Sequence, residues 1–146
     1  MTFFVDTNLL VYARDASEPM KQPLARKWID HLWETGQGRL SVQVLNEYYI
    51  TVTRKLDPGM PRDEARADIR DLMNWNPVPV KAALIDSAWT VEGRFGLHFW
   101  DALIVAAAQR VGCTYLLTED LQDGQDFEGL LVVNPLTEDP GRLLSG

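Results

Sequence analysis

The feature that most limits the fold of this chain is a set of short apolar runs with no polar face. Phe3-Phe4-Val5, Tyr115-Leu116-Leu117 and Leu130-Leu131-Val132-Val133 lack the alternation of a strand wetted on one side. Leu40-Ser41-Val42 reads as a second strand, and Val78-Pro79-Val80 as a possible edge strand, where a proline is tolerated. Helical spacing separates these runs. Leu24, Trp28 and Leu32 recur one turn apart within 23–33, and further helices are predicted over 43–55, 61–75, 82–93 and 98–112. Strands buried on both sides and alternating with helices predict an α/β fold: a mainly parallel sheet of four to five short strands flanked by helices. Ligands of such sheets gather beyond the carboxyl ends of the strands.

Composition narrows the classes. With 146 residues, residues 1–146 are expected to form a single domain, and 46% apolar against 24% charged residues is an ordinary globular balance. The formal charge of −7 argues against binding nucleic acid through bulk positive charge, but leaves open an enzyme whose carboxylates hold a metal. Cys113 is the only cysteine, so an internal disulfide and a thiolate zinc site are both excluded. The first residues have no basic start and reach Asp6 at once, unlike a signal peptide. The apolar run 102–108 is too short to span a bilayer, so a cytoplasmic protein without membrane association is expected.

Four acids stand out by placement. Asp6 follows the first strand, and Glu47 lies one turn into the helix after the second. Asp101 sits in the first turn of an almost wholly apolar helix, and Asp120 follows the strand 115–117. Taken singly, each has an ordinary role: Asp6-Thr7-Asn8 as a turn or helix cap, Asp101 as an acid complementing the helix dipole, Glu47 as a solvated residue. Together at strand ends they form an all-oxygen donor set suited to Mg²⁺ or Mn²⁺, which can activate water for phosphodiester hydrolysis. The apolar neighbours of Asp101 predict that little solvent reaches it.

These segments resemble PIN-domain ribonucleases, in particular the toxin of a VapBC-type toxin–antitoxin pair. The resemblance rests on Phe4-Val5-Asp6-Thr7-Asn8, Asn46-Glu47-Tyr48, Phe99-Trp100-Asp101-Ala102-Leu103-Ile104 and Leu117-Thr118-Glu119-Asp120-Leu121-Gln122, and it spans the chain in order and spacing. It implies a PIN-like three-layer fold and divalent-metal-dependent cleavage of RNA. It also implies a VapB-like antitoxin as partner and a homodimer. Asp6, Glu47, Asp101 and Asp120 match the family's acidic quartet, and Asn8, with Thr7 and Thr118, its supporting polar positions. Glu119 and Asp123 crowd the loop of the fourth acid, and spacing alone does not choose among the three.

Alternatives remain at this level: a non-catalytic RNA- or protein-binding PIN module, or a metal-dependent phosphatase. A phosphatase with a strand-end aspartate nucleophile would want a second acid two residues on, where Asn8 stands. Candidate phosphate contacts are Arg14, Arg54, Lys55 and Arg94, whereas Arg62, Arg66 and Arg70 among neighbouring acids read as a solvated stripe. Tyr48, Tyr49, Trp75, Trp89 and Trp100 could stack on bases or pack in the core. Apolar helical faces around Trp28, Trp33, Tyr48 and Val52 are compatible with a dimer or antitoxin surface. His31 and His98 receive no role.

Overall fold

A computed structural model describes residues 1–145. Five strands form one sheet in the order β2-β1-β3-β5-β4: β1 (Phe3–Val5), β2 (Gly38–Arg39), β3 (Tyr115–Leu117), β4 (Asp126–Phe127) and β5 (Leu130–Val133). All neighbours are parallel except β4, which runs antiparallel to β5. Phe3, Phe4, Val5, Leu116 and Leu117 are fully buried, so both faces of the central strands are covered, as the missing polar face requires. The helices are α1 (Thr7–Arg14), α2 (Lys21–Thr35), α3 (Val42–Ile50), α4 (Arg62–Leu72), α5 (Ala82–Phe95), α6 (Phe99–Arg110) and α7 (Pro140–Ser145). Trp28 of α2 is buried against Phe3, and its indole donates to the carbonyls of Pro135 and Glu138 at 2.9 Å, which ties the C-terminal loop to the core. Among the described residues no helix is long and apolar enough to cross a membrane.

The expected α/β architecture is present, with several local differences. The second strand ends before Leu40 instead of starting there. Ser41 accepts a hydrogen bond from the Val44 amide at 3.3 Å, and this cap turns the chain into α3 one residue early. Gly38 begins β2 because a Cβ there would lie 2.8 Å from the Trp75 ring. Val78 makes only an isolated parallel bridge to Ser41 instead of an edge strand, and Pro79 has no N–H to extend it. Helix α5 runs past Gly93 to Phe95 and is closed by Gly96 at φ +68°. Helix α1 and the two-residue β4 were not expected: the first is only two turns long, and the second sits in a loop of polar residues.

The sheet order sets the position of the site. From β1 the chain crosses to β2 on one side and later returns to β3 on the other, so the switch point lies at the carboxyl ends of β1 and β3. Asp6 and Thr118 are the next residues after those two strands.

Candidate active site

Asp6 leaves β1 and caps α1. Its Oδ1 accepts from the Thr7 amide at 2.7 Å and its Oδ2 from the Thr118 hydroxyl at 2.8 Å, so both oxygens are held. Thr7 turns its hydroxyl the other way and donates to Glu47 Oε2 at 2.6 Å. Glu47 Oε1 accepts from Gln43 Nε2 at 3.0 Å, one turn earlier on α3. The same Gln43 amide reaches the Trp100 carbonyl at 3.4 Å and thereby links α3 to the start of α6. Asn8 donates to Asp120 Oδ2 at 3.0 Å, and the Asp120 amide donates to Thr118 Oγ1 at 3.1 Å. The first two residues of α1 therefore steer three carboxylates: the helix's own cap Asp6, and Glu47 and Asp120 from two other parts of the chain.

All four acids, Asp6, Glu47, Asp101 and Asp120, line one open cleft of about 330 Å³. Thr7, Asn8 and Gln43 support its walls; Thr51, Lys55 and Trp100 complete them, with Ile104 below. Thr118 is buried behind Asp6. Neither of the other loop acids reaches the cleft. Glu119 accepts from the Tyr12 hydroxyl and faces Lys21 at 3.7 Å, while Asp123 is exposed and accepts from the Asn134 amide at 2.9 Å.

Crowding shows in the electrostatics. Burial pushes the Asp6 carboxyl up to about 6, the charges of Asp120 and Glu47 add to the rise, and the bonds from Thr118 and Thr7 oppose it. Asp101 and Asp120 are also raised, first by burial. Glu47 contributes at Asp101 against the lowering effect of His98; Glu119, Asp101 and Glu47 contribute at Asp120. Carboxylates that raise one another in this way are relieved by protons or by a cation. Among the described residues no three acidic, histidine or cysteine side chains converge tightly enough to hold an ion unaided. A hard cation that keeps water and takes substrate oxygens as further ligands needs only one or two protein carboxylates. Gln43 Oε1, buried at the cleft wall and without a partner among the described residues, offers an acceptor to such a water.

Several expectations need correction. Asp101 is only half-buried, because Trp100 beside it is 64% exposed instead of shielding it. Arg14 and Arg94 are not at the cleft: Arg14 is bound to Asp68, and Arg94 to Glu128 near the hairpin. Arg54 is exposed without lining the cleft, which leaves Lys55. Tyr48 and Trp75 are core residues, and Tyr49 lies under Arg66, so of the proposed stacking aromatics only Trp100 reaches the cleft. Trp28, Tyr48 and Val52 are fully buried and form no docking surface; only Trp33 of that set is exposed. Gln43 and its bond to Glu47 were missed, although Gln43, Glu47, Thr51 and Lys55 recur at every fourth residue. A larger groove of about 450 Å³ lies between α1, α2, α3 and α4, but the Arg14, Tyr48 and Asp68 side chains in its wall already bind one another.

Comparison with known proteins agrees with this arrangement. The PIN domain profile matches residues 3–122. Ribonuclease VapC23 of Mycobacterium tuberculosis is 35% identical over 125 residues, covering 80% of this chain and 91% of that protein. Among solved structures, VapC20 of Mycobacterium tuberculosis, described as a sarcin-ricin loop cleaving toxin, superposes with a TM-score of 0.63 at 24% identity, over 82% of this chain and 92% of that one. A toxin–antitoxin complex from Klebsiella pneumoniae gives 0.64 at 18% identity over 92% and 98%, and PAE2754 from Pyrobaculum aerophilum gives 0.60 at 21% over 100% and 97%. A cleft built by the ends of β1 and β3, a family profile over most of the chain and a relative of this identity together make the protein a member of the PIN-domain family, of the VapC type.

Proposed function

We propose that this protein is a divalent-metal-dependent endoribonuclease and the toxin of a toxin–antitoxin pair, with a small antitoxin as partner and a homodimer as its working form. One observation carries the catalytic part: acids from four separate segments line a single cleft at the switch point of the sheet. The kinship with a VapC ribonuclease supports RNA as the substrate. Asp6, Glu47, Asp101 and Asp120 are the residues that would hold Mg²⁺ or Mn²⁺, and such an ion supplies charge stabilisation at the phosphate and lowers the pKa of bound water.

The protein's own share of the work is orientation. Thr118 and Thr7 fix both oxygens of Asp6; Thr7 and Gln43 fix those of Glu47; Asn8 holds Asp120. Such supporting bonds set the direction of a ligand and are commonly worth 10–100-fold in affinity or activity. Asp101 accepts no hydrogen bond among the described residues, so its oxygens are free to align a water for in-line attack on the phosphorus as the P–O3′ bond breaks. Trp100 presents an exposed indole face on which an unpaired base can stack.

The test is cleavage of total RNA by the purified protein with Mn²⁺ or Mg²⁺, with Asp101→Asn as control. Discrete cuts are expected from the wild type with metal, and none with chelator or from the variant. Equal cleavage by both proteins would identify a contaminant and overturn the assignment.

A further inference from the structure

Helix α3 does not end as an α-helix. Residues Thr51–Lys55 continue it as a π-helical turn, in which the Leu56 amide donates to the Thr51 carbonyl at 3.1 Å, five residues back. The consequence is geometric. In an α-helix each residue advances about 100°, so four residues overshoot a full turn by about 40°. Three such steps from Gln43 would carry position 55 about 120° around the helix, away from the face that holds Gln43 and Glu47. The wider π turn advances less per residue and brings the fourth member of the series back. Gln43, Glu47, Thr51 and Lys55 accordingly all line the cleft.

Lys55 is also the only cation among the residues that line this cleft, in a chain with a formal charge of −7. Among the described residues it makes no ion pair, unlike Arg14, Lys21, Lys27 and Arg94, each of which has an acidic partner. Arg54, Arg62 and Lys81 make no ion pair either, so what sets Lys55 apart is its place at the wall of the acidic cleft, where its ammonium is open to a ligand. We infer that Lys55 is a catalytic residue that binds a non-bridging oxygen of the scissile phosphate through Nζ, and that the π turn places it there. The inference rests on the ribonuclease reading for its reaction, but not for the binding contact itself. A point charge with three donors suits a phosphate oxygen whose negative charge grows during displacement.

The experiment compares wild type, Lys55→Met, Lys55→Arg and Arg54→Met. Arg54→Met removes the same charge one residue away and outside the cleft. Binding is read first, by fluorescence anisotropy of a labelled single-stranded RNA 20-mer in Ca²⁺, and cleavage second, in Mn²⁺. Lys55→Met is expected to weaken binding about 10-fold and to lower the salt slope by about 0.7, the value for one contact to a single strand. It should reduce kcat/KM about 100-fold, and Lys55→Arg should recover most of that loss. Arg54→Met should change either quantity less than about 3-fold, and melting temperatures should stay together, as for surface changes. Binding and salt slope unchanged in Lys55→Met, or altered equally in Arg54→Met, would overturn the inference. A wild type that binds through Lys55 yet never cleaves would instead remove the ribonuclease reading and leave the phosphate contact standing.

Discussion

Asp6→Asn is expected to melt at a higher temperature than the wild type in chelator at pH 8, while losing about 10³-fold in RNA cleavage, a loss of the size that removal of a key electrostatic group produces. The two effects have one cause. In the metal-free protein the Asp6 carboxyl sits at about 6 against an ordinary value of 3.8. At about 1.4 kcal/mol per unit, holding it ionised in the fold costs roughly 3 kcal/mol. Asparagine can keep an acceptor towards the Thr7 amide and a partner for Thr118, but these bonds lose their ionic strength, which returns part of the gain. A net gain of about 1–2 kcal/mol corresponds to roughly 2–6 °C for a chain of this size.

The sign with pH follows from the direction of the shift. Because the folded value lies above the unfolded one, the folded protein retains a proton that the unfolded chain releases between about pH 4 and pH 6. Wild-type stability therefore falls relative to Asp6→Asn as pH rises through that window, and the penalty is complete above about 6. Melting curves at pH 4, 6 and 8 should converge at the acid end and separate at the alkaline end. A variant less stable than wild type at pH 8 would refute the cost of holding the buried Asp6 carboxylate ionised.

Asp68→Ala is expected to destabilise the protein by about 2–4 kcal/mol, a fall of roughly 5–12 °C in melting temperature. Asp68 of α4 accepts from Arg14 Nε of α1 at 3.0 Å and from the Tyr48 hydroxyl of α3 at 2.5 Å, so it joins the three helices. Most of the loss comes from the tyrosine. Tyr48 is 2% exposed, and burial together with the Asp68 bond pushes its phenol well above the ordinary value, so it stays a donor at any working pH. Without Asp68 that hydroxyl, at the wall of the groove, loses its charged acceptor, a bond worth about 1.5–3 kcal/mol. The Arg14 side chain is 39% exposed and can turn to water, so its bridge contributes about 0–1 kcal/mol. Arg14→Met should accordingly cost far less than Asp68→Ala, and equal losses would show that the bridge, not the phenol, governs the junction.

The legible parts of this molecule were those where one residue type settles the outcome alone. Apolar runs at β1, β3 and β5 that are too short for a helix read as interior strands, and Asp6 and Asp120, coming just after two of them, fall at the pole where such sheets bind ligands. Outcomes set by competition between neighbours were not legible. Ser41 could extend a strand or cap a helix, and capping prevailed once the Val44 amide needed an acceptor. Asp101 looked shielded by aromatic neighbours, but Phe99 packs against the core while Trp100 turns outward. Among the loop acids, Asn8 distinguishes Asp120 and Tyr12 claims Glu119, two partners more than 100 residues away in sequence. The π turn has no composition of its own, so the return of Lys55 to the cleft could not be foreseen from Thr51-Val52-Thr53-Arg54-Lys55.

The central claim is that these four acids form one site for a hard divalent ion. Crystals of the wild type grown with Mn²⁺, measured for anomalous scattering, address it most directly. A peak bounded by Asp6, Asp101 and Asp120 in the wild type, and lost in Asp6→Asn, is the predicted result. Manganese ordered only elsewhere, or unchanged by the substitution, would contradict it.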